Sequence, residues 1–317
     1  MTTPRLGINS RLRSTPFTAR VEAAGVKGYT VYNHMLLPAV FRSLADDYRH
    51  LKQHVQLWDV ACERQVEICG ADAGRFVQMM TPRDLSRAVR GRCLYAPLVD
   101  ERGRLVNDPV VIKHADDRYW LSIADSDVLL WARGLARGLG FELSIEEPDV
   151  SPLAVQGPKS DDLMARVFGE AVRAIRFFRF ETLDFRGHPL VVARSGWSKQ
   201  GGFEIYLDDS SLGLDLWDAL WAAGADLEVR PGCPNVIERI ECGLLSYGGD
   251  MSLDNDPYEC ELDAYCNLDR PIEFLGRDAL AASRKSTRRA ASRGYGSTRR
   301  GLHPVGGRGR CTPTASP

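Results

Sequence analysis

The sequence predicts an α+β fold built from two similar lobes. Segments with helical periodicity alternate with short strand-like segments, and tight turns join several of the strands into antiparallel hairpins. The order helix, strand, helix, hairpin occurs in each half of the chain, which favours two related units. The chain has 317 residues, 44% of them hydrophobic and 26% charged, so it is long enough for two packed cores.

The first half is predicted to contain three helices, two single strands and a hairpin. A helix in "LADDYRHLKQHVQLWDV", whose apolar residues from Leu44 to Trp58 recur at helical spacing, precedes the alternating strand "RQVEICG". Pro82 ends the next helix, "ADAGRFVQMM". The segment "LYAPLVDERGRLVNDPVVIKH" has the two apolar runs and the Gly-containing turn of a hairpin. The strand "RYWLSIAD" follows, and Asp125 or Ser126 is expected to cap the helix "VLLWARGLARG".

The second half repeats this arrangement. The segment "SPLAVQGPKSDDLMARVFG" predicts a strand, a turn and a helix, and "FETLDFRGHPLVVA" predicts a hairpin that turns at Gly187. The strand "GGFEIYL" and the helix "LGLDLWDALWAAG" follow. A last helix, "NVIERIECG", begins with Asn235 and Glu238 at the spacing of a capping box.

Sequence patterns divide the chain into two lobes and a tail. The first lobe is predicted to span residues 1–148 and the second 149–274. From residue 281 onward there are nine Lys or Arg and no Asp or Glu, and a Gly-, Ser- and Arg-rich segment cannot bury a core. Residues 283–317 are therefore predicted to be a disordered tail.

The start of the tail indicates its origin. Composition changes abruptly inside "LGRDALAAS", as it would where translation continues in a wrong frame. Arms that bind RNA have a similar composition, but the abrupt change favours the frameshift, and no nucleic-acid partner is expected.

Several classes of protein are excluded by composition. No apolar run approaches the roughly 18 residues of a membrane span, and no signal peptide is recognisable. A cytoplasmic protein without a membrane partner is therefore expected. The eight cysteines form no CxxC pair and have no clustered histidines, so neither a metal site nor a redox dithiol is predicted.

One carboxylate lies on a predicted strand beside a glycine-rich segment. In "GGFEIYL" the alternation places Glu204 and Tyr206 on the face opposite Phe203 and Ile205. For an isolated strand, that face would ordinarily be solvated. The glycines around Trp197 in "SGWSKQGG" instead leave room for a ligand, and the indole offers it a flat apolar wall.

A second carboxylate lies on an apolar face. In "RLVNDPVVIK", Asp108 shares parity with Val106 and Val110 unless Pro109 shifts the register. An unpaired buried carboxylate costs several kcal/mol. Asp108 is therefore either hydrogen-bonded for structural reasons or functional.

Four segments together resemble the aminomethyltransferase family of folate enzymes, also called the T-protein family. "LWDVACERQVEICGADA" is similar to the family segment "FDVSHMGEVRVTGPDA", and "LYAPLVDERGRLVNDPVV" to its hairpin "YT" and "GGVIDDLIV". "LAVQGPKS" resembles "ALQGP", and "RIECGLLSYGGDM" resembles "RLEAGL" followed by "YG". The resemblance covers residues 11 to about 280, and the order and spacing of the four segments make it specific.

The resemblance implies a three-lobed protein with tetrahydrofolate in a central channel. The third lobe of the family is a β-barrel, which is expected to begin at residues 275–282 of this chain and to be cut short there. Matched by motif, Tyr95, Asp108 and Glu204 would hold the pterin ring, and Asp108 would also act in catalysis, either by orienting the folate or by accepting its N5 proton. Carboxylates suit a row of N–H donors because each offers two acceptor oxygens.

Departures from the T-protein pattern resemble the branch of the family that demethylates dimethylsulfoniopropionate. The chain has "PNVIERIECG" where T-proteins have "ARDSLRLEAG", and "GWSKQGG" in place of "GYTGEDG". A sulfonium is a cation without hydrogen-bond donors, so aromatic faces and a diffuse negative field must bind it. The residues assigned to the methyl donor are Tyr32, Asn33, Ser122, Trp197 and Tyr206.

The implied reaction transfers a methyl group from sulfur to N5 of tetrahydrofolate, giving methylmercaptopropionate and 5-methyltetrahydrofolate. Three alternatives remain open: a glycine-cleavage-type aminomethyltransferase, a folate-dependent demethylase of an N-methyl substrate such as a betaine, and an inactive folate-binding fragment. For each of the possible enzymes, the expected partner is a small sulfonium or methylammonium compound or a carrier-bound amine. The sequence does not predict the oligomeric state.

Overall fold

The computed structural model describes residues 9–292. The α-helices are α1 (Thr18–Ala23), α2 (Leu44–Gln53), α3 (Ala73–Met79), α4 (Val128–Gly138), α5 (Ser160–Phe168), α6 (Gly213–Ala223), α7 (Val236–Cys242) and α8 (Arg277–Ser292). The strands are β1 (Gly28–Tyr32), β2 (Met35–Val40), β3 (Gln56–Asp59), β4 (Gln65–Cys69), β5 (Cys93–Tyr95), β6 (Leu98–Val99), β7 (Leu105–Asn107), β8 (Val110–Ala115), β9 (Arg118–Ser122), β10 (Ser144–Glu146), β11 (Ser151–Gln156), β12 (Phe180–Phe185), β13 (His188–Ala193), β14 (Gly202–Leu207) and β15 (Arg230–Gly232).

Two large sheets organise the protein, and the predicted α+β class with two lobes is confirmed. A five-stranded antiparallel sheet has the order β10-β4-β9-β8-β5, and a six-stranded sheet has the order β12-β13-β14-β11-β3-β15. In the second sheet only β15 and β3 run parallel to each other. The pairs β1-β2 and β6-β7 form separate hairpins, and no sheet within residues 9–292 closes into a barrel. Within the same range, no helix is both long and apolar enough to cross a membrane.

Of the two predicted helix caps, the one at α7 is confirmed for Asn235 only and the one at α4 is wrong. The Asn235 side chain accepts hydrogen bonds from the backbone N–H groups of Ile237 (2.9 Å) and Glu238 (3.3 Å) at the start of α7. At α4 the capping position is Asp127, whose side chain makes no capping hydrogen bond. The two side chains expected to cap α4 make other hydrogen bonds. Asp125 accepts from the Asn33 backbone N–H at 2.7 Å, and the Ser126 hydroxyl donates to the Val106 carbonyl at 2.9 Å.

The predicted boundary between lobes 1–148 and 149–274 is wrong for the N-terminal part of the chain. Strand β3 lies inside the six-stranded sheet, where it pairs with β11 and β15 from the second half. Apolar side chains from the first 62 residues share one core with second-half residues such as Leu153, Leu163 and Leu216. The first-half members of this core include Phe17, Val21, Phe41, Leu51, Leu57 and Cys62. Residues 66–145 form the core of the five-stranded lobe. The helical spacing that runs from Leu44 to Trp58 predicted a helix here, which is wrong for Gln56–Asp59 because these residues pair as β3. Local periodicity also carries no information on pairing partners.

The predicted second lobe also extends too far at its C-terminal end. Residues 244–280 pack against the β6-β7 hairpin of the first half, and the Tyr247 hydroxyl donates to the Leu105 carbonyl at 3.0 Å. Residues 275–282, predicted to begin a further lobe, include the first turns of α8, in which Leu280 is fully buried in the same cluster. The elements after α7 thus belong to the five-stranded lobe.

The predicted tail begins later than expected. Helix α8 continues through residues 283–292, and Arg284 forms a two-point ion pair with Asp269 at 2.9 and 3.0 Å. Part of the segment predicted to be disordered is therefore helical, because its alanines and basic residues favour a helix once Leu280 anchors it. The remainder of the predicted tail, residues 293–317, lies outside the described residues.

The two large sheets meet through a small apolar cluster. Ile112 and Trp120 of the five-stranded sheet pack with Ala193 and Tyr206 of the six-stranded sheet. The rings of Trp120 and Tyr206 are 6.1 Å apart between centroids. This contact brings the ends of strands from both lobes to one place.

Truncating Leu57 tests whether β3 belongs to the six-stranded lobe. Its side chain is fully buried, so Leu57→Ala should lower the free energy of unfolding by about 2–5 kcal/mol through the cavity it leaves. Urea denaturation with an unchanged m-value would measure the loss. Leu214→Ala on α6, where the leucine is 40% exposed, is the control and should cost less than about 1 kcal/mol. Equal small losses in both variants would contradict the observed packing of β3.

Candidate functional site

A cavity of about 290 Å³ lies where the two lobes meet, and three carboxyl groups line it. Asp108 comes from the turn between β7 and β8, Glu204 from β14, and Glu63 from the loop between β3 and β4. The structure therefore brings Asp108 and Glu204 from separate lobes to one cavity, as expected from the sequence. Tyr95, the third residue assigned to the pterin ring, also lines it.

Glu204 is held by two hydroxyl donors. Strand β14 is buried along its whole length and Glu204 is 6% exposed, so a solvated outer face is excluded. The Ser195 hydroxyl donates a hydrogen bond to the Glu204 carboxylate, and the Tyr206 hydroxyl donates to the same oxygen at 3.4 Å. Burial raises the pKa of Glu204, and the two hydrogen bonds oppose that shift.

Asp108 has one oxygen in use and one without a partner. The Tyr95 hydroxyl donates to Asp108 Oδ2 at 3.1 Å, whereas Oδ1 is buried and has no hydrogen-bond partner among the described residues. Burial raises the pKa of Asp108 to about 7, and the Tyr95 hydrogen bond opposes the shift. The hydrogen bond from Tyr95 gives Asp108 a structural role, and its functional role stays a prediction.

Glu63 is the functional candidate that the sequence did not indicate. Burial raises its pKa well above the ordinary value, and the charges of Glu204 and Asp108 raise it further. A glutamate in a short loop is ordinarily solvated, and only the pairing of β3 with second-half strands carries this loop to the cavity. The strand pattern around Glu63 contains no signal of that pairing.

The residues assigned to the methyl donor divide into two groups. Tyr32, Ser122 and Trp197 line the cavity, whereas Asn33 and Tyr206 do not. The Asn33 side-chain amide donates to the carbonyls of residue 62 at 2.9 Å and residue 124 at 3.1 Å, so it joins two loops behind the cavity wall. Tyr206 is 1% exposed and turns its hydroxyl to Glu204. Neither side chain faces the cavity directly, so a role of Asn33 and Tyr206 in binding the methyl donor stays a prediction.

Trp197 is fixed by contacts with the segment after α7. Its indole N–H donates to the Leu245 carbonyl at 3.3 Å, and the Arg239 guanidinium lies 5.9 Å from its ring centroid. Arg239 carries the only cationic side chain among the described residues that line the cavity. Its charge is paired with Asp250, so the lining has an excess of acidic groups.

Hydrogen bonds to Glu238 hold the loop that carries Trp197 at its C-terminal end. The fully buried Glu238 accepts hydrogen bonds from the Lys199 backbone N–H at 3.1 Å and from the Gln200 side chain at 2.8 Å. It does not complete a capping box at α7, because its carboxylate faces this loop. At Gly196, φ is +139° and an added Cβ would collide with the Gln156 side chain, so only glycine fits there.

One group of side chains has the composition of a metal site within residues 9–292. Glu238, Glu241 and Cys242 have ligand atoms close together. Lys52 already pairs with both carboxylates, since its ammonium nitrogen lies 2.8 Å from Glu241 and 3.6 Å from Glu238. The arrangement is that of an ion-paired cluster.

The fold and the cavity define the class: a two-lobed α+β protein with an acidic small-molecule site where its lobes meet. A solved structure supports the fold, since aminomethyltransferase T of the glycine cleavage system from Bartonella henselae superposes with a TM-score of 0.77 at 22% identity, covering 87% of this chain and 75% of that one. Residues 17–270 match the family described as the GCVT N-terminal domain. The chain belongs to this family, which confirms the resemblance found in the sequence.

Two relatives show how similar the sequence is to different members of this family. It is 63% identical over 276 residues to dimethylsulfoniopropionate demethylase DmdA of Ruegeria pomeroyi, covering 87% of this chain and 75% of the relative. It is 30% identical over 278 residues to an aminomethyltransferase of Chlorobaculum tepidum, covering 84% and 74%.

Asp108→Asn tests the raised pKa of Asp108. In the folded protein this pKa is about 7 against an ordinary 3.8, so the folded state binds the proton more tightly than the unfolded chain. The resulting stabilisation is complete below pH ~4 and is lost as the pH rises through ~7. Asn cannot ionise, so the unfolding free energy of the wild type relative to the variant should fall by at least about 1 kcal/mol from pH 4 to 8.

Urea denaturation at several pH values measures this difference. Asp117→Asn, in the exposed turn before β9, is the control for charge loss and should give a relative stability that changes little with pH. A constant difference between wild type and Asp108→Asn would show that Asp108 titrates as an ordinary carboxyl group.

Proposed function

We propose that this protein is a tetrahydrofolate-dependent methyltransferase that demethylates dimethylsulfoniopropionate. The observation that carries the proposal is the acidic cavity, in which three carboxyl groups and several aromatic rings surround a space whose one cationic side chain is already paired. The 63% identity to a dimethylsulfoniopropionate demethylase supports the choice of donor. A cytoplasmic location and the absence of a nucleic-acid partner are part of the same proposal.

The donor side of the cavity suits a cation without hydrogen-bond donors. A sulfonium gains from the excess of carboxyl groups and from the faces of Trp197 and Tyr32, which need no donor from the ligand. Ser122 offers a polar contact on the same wall, and its hydroxyl oxygen is oriented by the Gln65 amide at 3.0 Å. Since Tyr206 lies behind the wall, its hydroxyl is not assigned to the carboxylate of the donor.

The acceptor side suits a reduced pterin. Glu204 and the free oxygen of Asp108 offer acceptors to the amino and ring N–H groups of that edge. Val110, Ile123 and Phe178 provide apolar surface for the flat ring. The lining therefore offers acceptors that match the N–H edge of a pterin and apolar side chains that match its flat face.

The reaction needs little chemistry from the protein beyond alignment. The lone pair of N5 forms a bond to the methyl carbon as the S–C bond breaks and its electron pair stays on sulfur. The nitrogen then loses its proton, and Asp108, with a pKa of about 7, is suited to accept it near neutral pH. Holding the two reactants in line in a water-poor cavity can supply about 7 kcal/mol or more of the acceleration.

An assay with separate donors tests the function. Purified protein with tetrahydrofolate should form 5-methyltetrahydrofolate from dimethylsulfoniopropionate, and more slowly or not at all from glycine betaine. Chromatography of the folates and of methylmercaptopropionate should show them formed in equal amounts. Formation of methylenetetrahydrofolate from the lipoyl-bound aminomethyl donor would support an aminomethyltransferase instead, and no product from any donor would support an inactive folate-binding protein.

Glu204→Ala tests the assignment of the acceptor side. Losing this carboxylate removes acceptors for the pterin N–H groups, so the Kd of tetrahydrofolate should rise at least about tenfold, while the circular dichroism spectrum stays unchanged. Calorimetric titration measures the affinity. Glu181→Ala, on the exposed face of β12, is the control. Unchanged affinity in Glu204→Ala would remove this acid from the folate site.

A further inference from the structure

Glu63 lies where the chain crosses from one sheet to the other. Strand β3 ends in the six-stranded sheet at Asp59 and β4 begins in the five-stranded sheet at Gln65. The Glu63 backbone is fixed within this crossing, since its N–H donates to the Val60 carbonyl at 2.9 Å and its carbonyl accepts from the Gln65 side chain at 2.8 Å. The side chain consequently enters the cavity from a rigid position.

The Glu63 carboxylate differs from the other two in having no partner. Among residues 9–292, no hydrogen bond or ion pair reaches it, whereas Asp108 accepts from Tyr95 and Glu204 accepts from two hydroxyl groups. Glu63 is half-buried and lines the cavity, and a carboxylate with reduced access to water and no donors either holds a proton or gains from a counter-charge. Its raised pKa reflects this cost. A cation that enters the cavity would supply this counter-charge in place of the proton.

The surroundings of Glu63 favour a cation that has no donors. Its neighbours in the lining include Tyr32, whose phenol pKa is raised well above its usual value by burial and then by the charge of Glu63. The lining cation, Arg239, is committed to Asp250. In the family segment compared with "DVACERQV" above, a methionine stands at the place of Glu63, so this carboxylate is a departure from that pattern.

We propose that Glu63 is the residue that selects a positively charged methyl donor, with its carboxylate facing the sulfonium or methylammonium centre while Asp108 and Glu204 face the folate. This inference rests on the proposed function and assigns separate binding roles to the three acidic residues. It assigns Glu63 to binding of the donor charge alone. Substituting Glu63 should accordingly affect a cationic donor and leave its uncharged-sulfur product and the folate unaffected.

Glu63→Gln separates these possibilities because glutamine keeps the shape and loses the charge. Calorimetric titration would measure three dissociation constants in the full-length protein: for dimethylsulfoniopropionate, for methylmercaptopropionate, which lacks the sulfonium charge, and for tetrahydrofolate. The Kd of the sulfonium should rise at least about tenfold. The other two should stay within about twofold, so the preference of the wild type for the charged compound should shrink in the variant.

The possible failures are distinguishable. If the wild type binds glycine betaine in place of the sulfonium, the proposed donor is wrong, and the same ratio measured with betaine decides the role of Glu63. If the wild type prefers the cation but Glu63→Gln keeps that preference, the inference is wrong and the proposed function stands. Parallel weakening of all three ligands would show a structural role, and a selective loss of tetrahydrofolate would assign Glu63 to the folate. Glu181→Gln is the matched control and should change none of the constants.

Discussion

The site depends on keeping three carboxyl groups in one cavity largely out of water. Charge transferred from water is costly unless it is paired, and the described protein provides hydroxyl donors to Asp108 and Glu204 but no cation to any of the three. Their raised pKa values follow from this shortage. The folded chain thus maintains an arrangement that is unfavourable when empty, and a ligand with positive charge or N–H donors relieves it.

Rigid backbone makes that arrangement possible. Glu204 lies on β14, between β11 and β13 in the interior of a sheet, so its Cα cannot move away from the other acids. Glu63 lies in the short crossing between the two sheets, and Asp108 lies between two paired strands. Mutual repulsion would separate carboxyl groups on mobile loops. Here the hydrogen bonds of two sheets and the apolar contact between Trp120 and Tyr206 oppose it.

Local sequence patterns predicted the elements better than their assembly. The strand containing Glu204 and the hairpin before Asp108 are where alternation and turn residues placed them, since these signals act over neighbouring residues. The pairing of β3 with second-half strands depends on contacts between residues far apart along the chain. Because this pairing was not predicted, the lobe boundary was placed wrongly and Glu63 was not recognised as a cavity residue. The sequence also could not predict how far a side chain lies from the cavity. Strand alternation predicted the face of Tyr206, but only the packed structure shows that Glu204 and Ser195 line the cavity and Tyr206 does not.

The segment after α7 links the site to the last part of the described chain. Leu245, Ser246 and Tyr247 form one wall of the cavity, and Tyr247 is tied to β7 through the Leu105 carbonyl. The same segment continues into the cluster that buries Leu280 of α8. Because Trp197 also donates its N–H to this segment, the wall that faces the ligand and the packing of α8 are mechanically connected. Water exclusion at the methyl donor therefore depends on contacts made by residues well beyond the strands that carry the three acids.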